Sequence, residues 1–405
     1  MKKKTEHIFR FLSMATVITI VSLDFFQIYD FGIDRLIYKV NPLFADLITI
    51  IPSLEELNLL DMSTKDKISS VETMNRPMNY PLIWVYIFDF ISKLGEPHNL
   101  FGYMQIFIYL SFAVFYLVRV KKNFLLNSLI IFSPPIFLIF DRGNNDLLIF
   151  FLIYLSIYSQ RGVSGFLIGL AAALKIYPLF LAPFIFFYSK GKFYFLFGFL
   201  LTLPLIIFSF SQLNIFIGNT SISFSSSFGI LTMALFFKKI FSFITSYQIS
   251  IYLWVIFSFS LFLLGIKIFN FFFKNEVINL VNVLLENNKN TKIFVLFSLL
   301  SIFIFLVFSS WAYRIIFLLP STCIIINCIN FKKNFIKVKN IIMIIFLTFP
   351  FISTWILFSN NKILLNHYTW AFYGPIVFIS MIFYSLILLN IAKSKFMNTR
   401  IKFFD

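Results

Sequence analysis

The sequence predicts an all-α polytopic membrane protein, and three observations predict it. Of its 405 residues, 60% are hydrophobic and 13% charged, with a mean hydropathy of +0.89. Soluble domains carry roughly 25% charge. Apolar runs of about 17 to 25 residues, the length a bilayer requires, recur along the chain. Such runs must be helical, because hydrocarbon offers an open backbone no partners. The weak alternation of an outer-membrane barrel is absent. Third, the basic residues gather in alternate turns, as the positive-inside rule demands.

The predicted spans are 8–24, 101–118, 123–140, 146–159, 162–175, 177–188, 193–210, 248–273, 293–309, 315–330, 340–358 and 369–392. About twelve crossings (10–13) result, in a single integral membrane domain over 1–405. The first span follows the basic start MKKKTEHIFR and reads as uncleaved, since no small-residue cleavage site comes after it. Both termini then lie in the cytoplasm. That side holds 22 basic residues against four acids, net +18, and the other holds 12 against 13, net −1. The chain's basicity is therefore a topology signal of a cytoplasmic-membrane protein, and nucleic-acid binding is excluded as its cause.

Two outer segments break the rhythm. The first, 24–100, holds most of the outer acids and contains PLIWVYIFDFISKL (81–94), too short to span and read as an interfacial helix. The second, 211–246, begins polar and Ser-rich and ends in an apolar piece at Lys238-Lys239, read as a further helix on the outer face. No internal repeat supports an inverted-repeat transporter. Cys323 and Cys328, five apart in one apolar run, do not face each other, so no disulfide is expected. Three scattered histidines and no Cys/His cluster argue against zinc.

The remaining polar residues fall on one face. Asp24 ends the first span on the outer side. Asp141-Arg142-Gly143-Asn144-Asn145-Asp146 forms an outer turn, and Lys175, Tyr177 and Pro178 end the fifth span there. Tyr313 and Arg314 sit at a further outer turn, and His367 at yet another. Ionisable groups at membrane depth are costly and mark functional sites by default. Each also has a plainer reading. Asp24 could only terminate a helix, Lys175 could snorkel to the headgroups, Arg142 could pair locally with Asp141 or Asp146, and Arg314 could anchor an aromatic belt.

This face has carboxylates for proton abstraction and cations for phosphate. It has no Gly-rich nucleotide loop, no metal cluster and no Ser/His/Asp pattern. An activated group outside the cytoplasmic membrane is delivered on a lipid phosphate. A carboxylate at a helix end could take a proton from an acceptor hydroxyl. Arg142, Lys175 and Arg314 could hold the phosphate and stabilise it as it leaves. The chemistry that results is single-displacement glycosyl transfer from a polyprenyl-phosphate sugar.

Five pieces carry a resemblance: LDFFQIYDFG with Asp24, MNYPLIW with Tyr80, the DRGNND turn, GLAAALKIYPLFLAP, and YRIIFLLP at Tyr313 to Pro320. In these the chain resembles the membrane glycosyltransferases of the GT-C superfamily, and within it family 87, of the mannosyltransferase type. The resemblance implies a GT-C type fold and a hexosyltransferase that inverts the anomeric centre. It implies Asp24 as the general base, and Arg142, Asn144, Asn145, Asp146, Lys175, Tyr177 and Arg314 around the donor phosphate and sugar. Relatives often carry a pair of acids at the first-loop site; here Asp24 stands alone, with Asp30 and Asp34 the nearest others. Arg76, Tyr80, Asp141, Tyr313 and His367 are accessory candidates. No cofactor is expected, and the need for a divalent cation stays open. The implied partners are a polyprenyl-phosphate sugar donor (mannose in the type group), a lipid-anchored or extracytoplasmic glycan acceptor, and the bilayer. A flippase or polymerase of lipid-linked saccharides is the alternative; a flippase needs polar groups along the whole path, and a polymerase usually has its long loop late in the chain.

Overall fold

The computed structural model describes residue 47, 72–73, 76–77, 81, 83–93, 97–120, 123–188, 191–210, 227–244, 250–307, 310–328, 338–358 and 373–397. Helix dominates them. In chain order the helices are α1 (Ile83–Ser92), α2 (Pro97–Arg119), α3 (Phe124–Ile131), α4 (Pro134–Arg142), α5 (Asp146–Tyr158), α6 (Arg161–Leu174), α7 (Leu181–Tyr188) and α8 (Lys192–Leu200). There follow α9 (Leu203–Phe210), α10 (Ile230–Ile244), α11 (Ile251–Leu285), α12 (Asn288–Val307), α13 (Leu319–Cys328), α14 (Val338–Phe358) and α15 (Tyr373–Met397). Two 3₁₀ stretches, Tyr177–Phe180 and Ala312–Leu318, lead into α7 and α13. The strands are two-residue pairs, one of which ties Ser227-Phe228 to Ser310-Trp311.

Among the described residues five helices are long and apolar enough to cross a bilayer: Asn99–Arg119, Phe124–Arg142, Ile251–Leu285, Asn288–Val307 and Tyr373–Ser394. A sixth results if Lys192–Leu200 and Leu203–Ser209, bent by 47°, form one span. The expected spans 146–159 and 162–175 are helices of 13 and 14 residues. At 1.5 Å per residue these reach about 20 Å, short of the roughly 30 Å hydrocarbon layer. The expected span 8–24 lies outside the described residues, as do most of 24–80 and residues 211–226. The expected helix end at 273 is instead a kink at Phe273 (φ −118°, ψ 16°), and α11 continues to Leu285. Large apolar side chains such as Phe271, Tyr252 and Phe193 face outward, as lipid contact requires.

Small residues set the central packing. α6 and α8 run the same way, with Gly165 against Phe195 and Gly198 against Gly162. A Cβ on Gly165 would lie 2.0 Å from the Phe195 carbonyl oxygen, and one on Gly198 would lie 1.9 Å from that of Gly162. Only glycine admits backbones this close, the small-xxx-small device of membrane helices. Interhelical hydrogen bonds add to it: Ser298 Oγ donates to Ser321 Oγ at 2.9 Å, and the Thr322 and Tyr384 hydroxyls meet at 2.7 Å. α1 is two-faced, with Trp84 fully buried and Tyr86 and Phe90 exposed.

Candidate active site around Asp146

The site begins as a problem of ending one helix and starting another within four residues. α4 stops at Gly143, which adopts the left-handed conformation (φ 61°, ψ 34°) that costs glycine little. Its amide donates to the Phe140 carbonyl at 2.9 Å, and the Asn144 amide to that of Ile139 at 3.0 Å. These two bonds form a Schellman motif. Asn144 then turns its side chain forward, and its Oδ1 accepts from the Asp146 amide at 2.9 Å. That bond satisfies an otherwise unpaired donor at the start of α5. Asp146 therefore opens α5 with its carboxylate where the helix dipole favours an anion.

Three distant segments converge on that carboxylate. Lys175 Nζ donates to Asp146 Oδ1 at 2.5 Å and to Asn144 Oδ1 at 3.3 Å. The Tyr177 hydroxyl donates to the same Oδ1. Arg314 Nε donates to Oδ2 at 3.1 Å. Lys175 reaches the site because α6 ends there: it is extended (φ −154°, ψ 144°), with Pro178 three residues on. The carbonyl of Leu174 at that helix end accepts from Trp84 Nε1 at 3.1 Å. Tyr177 is held by an edge contact to Phe317, with ring centroids 5.3 Å apart.

The order of exposure decides what the cluster can do. The Asp146 side chain is 0% exposed, Lys175 11% and Arg314 20%. The carboxylate is thus the hidden member, and the two cations stand between it and the outside. Among the described residues two cations share this one carboxylate, a grouping suited to an anion in a low-dielectric setting. Asn145 is fully buried beside them, and neither its Nδ2 nor its Oδ1 has a partner. An unsatisfied buried amide costs about 1–3 kcal/mol.

Residues 79–266 match the model of glycosyltransferase family 87. Over that stretch the chain is similar to the glycosyltransferases of family 87. No curated protein and no solved structure matches the chain. The family-87 stretch contains Trp84, the 141–146 turn, Lys175 and Tyr177, while Arg314 reaches the same carboxylate from beyond it. The chain's long apolar helices fit that likeness to a membrane-embedded enzyme family.

The structure brings Asn144, Asp146, Lys175, Tyr177 and Arg314 together, with Asn145 adjacent. It does not bring Arg142 onto Asp146; Arg142 is half-buried in the last turn of α4, after a buried Asp141. Asp24, Asp30, Asp34, Tyr80 and His367 lie outside the described residues. Arg76 lies in a two-residue strand and Tyr313 in the 3₁₀ stretch before α13, placed by backbone alone. Among the described residues no group of three His, Cys, Asp or Glu could hold a metal ion. Sequence reasoning missed Trp84: in a segment read as lying at the interface, the signal was a single indole N–H within an apolar stretch, which needs an acceptor once buried.

Proposed function

We propose that the chain transfers a hexose, mannose as the leading candidate, from a polyprenyl-phosphate donor to a glycan or glycolipid acceptor at the outer face of the cytoplasmic membrane. The observation that carries this reading is the pair of partly exposed cations, Lys175 and Arg314, held by a fully buried carboxylate. A polyprenyl-phosphate sugar is a phosphodiester with one negative charge. As the bond from the anomeric carbon to phosphate oxygen breaks, that oxygen keeps the electron pair and the phosphate gains a second charge. Cations already fixed at that point stabilise the transition state more than the ground state. The acceptor oxygen attacks the opposite face of the anomeric carbon, inverting it, and its proton passes to Asp24.

In this mechanism Asp146 acts through the cations it holds, so it is a positioning residue. Asn145, with both amide groups unpartnered, suits a sugar hydroxyl that donates to one and accepts from the other. Tyr177 fixes the Asp146 oxygen that Lys175 also uses.

The test supplies purified protein in liposomes with radiolabelled polyprenyl-phosphate hexose and an acceptor extract, and follows the label. Label should move to acceptor with wild type and stay on lipid with Asp24→Asn, while donor binding survives. Undiminished turnover in Asp24→Asn removes Asp24 as the base. Intact labelled lipid that crosses leaflets without product would instead make the protein a flippase.

A further inference from the structure

The bundle has a second polar centre at the end opposite Asp146. The thirteen residues of α5 separate Asp146 from Tyr158, about 18 Å along the axis. Tyr158, Arg119 at the close of α2, Lys289 at the opening of α12 and Asn327 near the close of α13 line a cleft of about 750 Å³ at that far end. Its inner wall is apolar, formed by Phe112, Leu155, Ile293 and Ile324 among others. Among the described residues no acidic side chain lines it, and neither Arg119 nor Lys289 pairs with a carboxylate. Each cation lies over an aromatic ring instead: Arg119 Cζ is 3.6 Å from the centre of Phe115, and Lys289 Nζ is 4.1 Å from that of Tyr158.

Two further features shape the place. The wall is pinned by a side-chain network. Asn327 Nδ2 donates to the Tyr116 hydroxyl at 2.8 Å, and Asn127 Nδ2 donates to Asn327 Oδ1 at 3.2 Å. Asn123, in the left-handed region (φ 54°), donates to the Ile326 carbonyl at 2.6 Å. These bonds cross three elements, so the cleft is built and is not a gap between loosely packed helices. A shallow groove shares Phe115 and Arg119 with it and runs back along the outer side of α2 to Ser111. The eight helical steps from Ser111 to Arg119 make that groove about 12 Å long.

We propose that this cleft binds an anionic phospholipid from the surrounding leaflet, the phosphate between Arg119 and Lys289 and one acyl chain along the Ser111–Arg119 groove. Charge complementarity selects an anion. The apolar wall and the groove running away from it select one with a long hydrocarbon tail, which a free phosphate lacks. Its distance from Asp146 separates this site from the donor site, so it stands whether or not the sugar chemistry is assigned correctly.

Full-length protein in dodecyl-maltoside micelles is titrated with phosphatidylglycerol, phosphatidylcholine or inorganic phosphate, and bound lipid is counted by native mass spectrometry. Wild type should retain phosphatidylglycerol and not phosphatidylcholine, with inorganic phosphate failing to displace it. The double variant Arg119→Gln/Lys289→Gln should bind it roughly 30-fold more weakly, at about fivefold per cation. Lys192→Gln/Lys393→Gln, which removes two exposed lysines outside the cleft, should bind as wild type does. Leu155→Trp, which fills the apolar wall without changing charge, should also lose lipid. Equal retention by the cleft variants and wild type overturns the proposal. So does displacement by inorganic phosphate, or equal loss in the control pair.

Discussion

Asp146 holds two cations and turns no surface outward, so neutralising it removes a buried counter-charge from both. Asp146→Asn should lower stability by about 3–5 kcal/mol, the usual cost of breaking a buried pair from one side. A thermal unfolding scan in detergent measures it, and a shift of only a degree or two would mean that Lys175 and Arg314 find other partners. Trp84→Phe keeps the ring but deletes the bond to the Leu174 carbonyl at the end of α6. It should cost about 1 kcal/mol by the same scan. The residues at this centre were legible singly, because Asp146, Lys175 and Arg314 are charges set in apolar runs. Their pairing was not. Arg314 lies 168 positions from Asp146, and hydropathy carries no information on which helix end meets which. Trp84 was hidden by abundance, since 21% of the chain is aromatic.

At the scale of elements, the contact of α6 with α8 rests on glycine. Gly165→Ala sets a methyl 2.0 Å from the Phe195 carbonyl oxygen and should cost about 2 kcal/mol or more. Gly162→Ala, whose nearest neighbour would be at 3.6 Å, should be close to neutral. The melting temperatures of the two variants therefore separate a packing role from a general dislike of alanine; equal shifts would contradict it. Helix existence was readable from the apolar runs, and the polar turn at 141–146 and the break at Lys175 were readable as punctuation. Helix length was less so. Lys274 and Glu276 marked the end of an apolar run, and the reading stopped there, yet α11 extends to Leu285. Hydropathy reports what a segment faces; helicity continues past it here because no Gly or Pro falls between residues 274 and 285. Similarly, α5 and α6 are apolar like the candidate spans but shorter, at 13 and 14 residues, bounded at one end by the polar turn at 141–146 and the break at Lys175.

For the whole molecule, one end carries the Asp146 centre and the other carries Arg119, Arg161, Lys192, Lys289 and Lys393. From the charge count of the sequence, the second end is expected in the cytoplasm. In a background lacking Cys323 and Cys328, a cysteine at Ser225 should react with an impermeant reagent added outside, and one at Asn288 should not; the reverse labelling overturns the orientation. The family-87 likeness points to glycosyl transfer, and the proposed function sets the cation pair at one end of the bundle to that chemistry. Whether those cations stabilise the leaving phosphate is the decisive question. Its most direct test is the single-turnover rate of label transfer from polyprenyl-phosphate hexose in proteoliposomes, at saturating donor, for wild type and Arg314→Gln. If Arg314 stabilises the leaving phosphate, the variant's rate falls by about 10²–10³-fold while its donor binding weakens far less. An unchanged single-turnover rate would contradict the account.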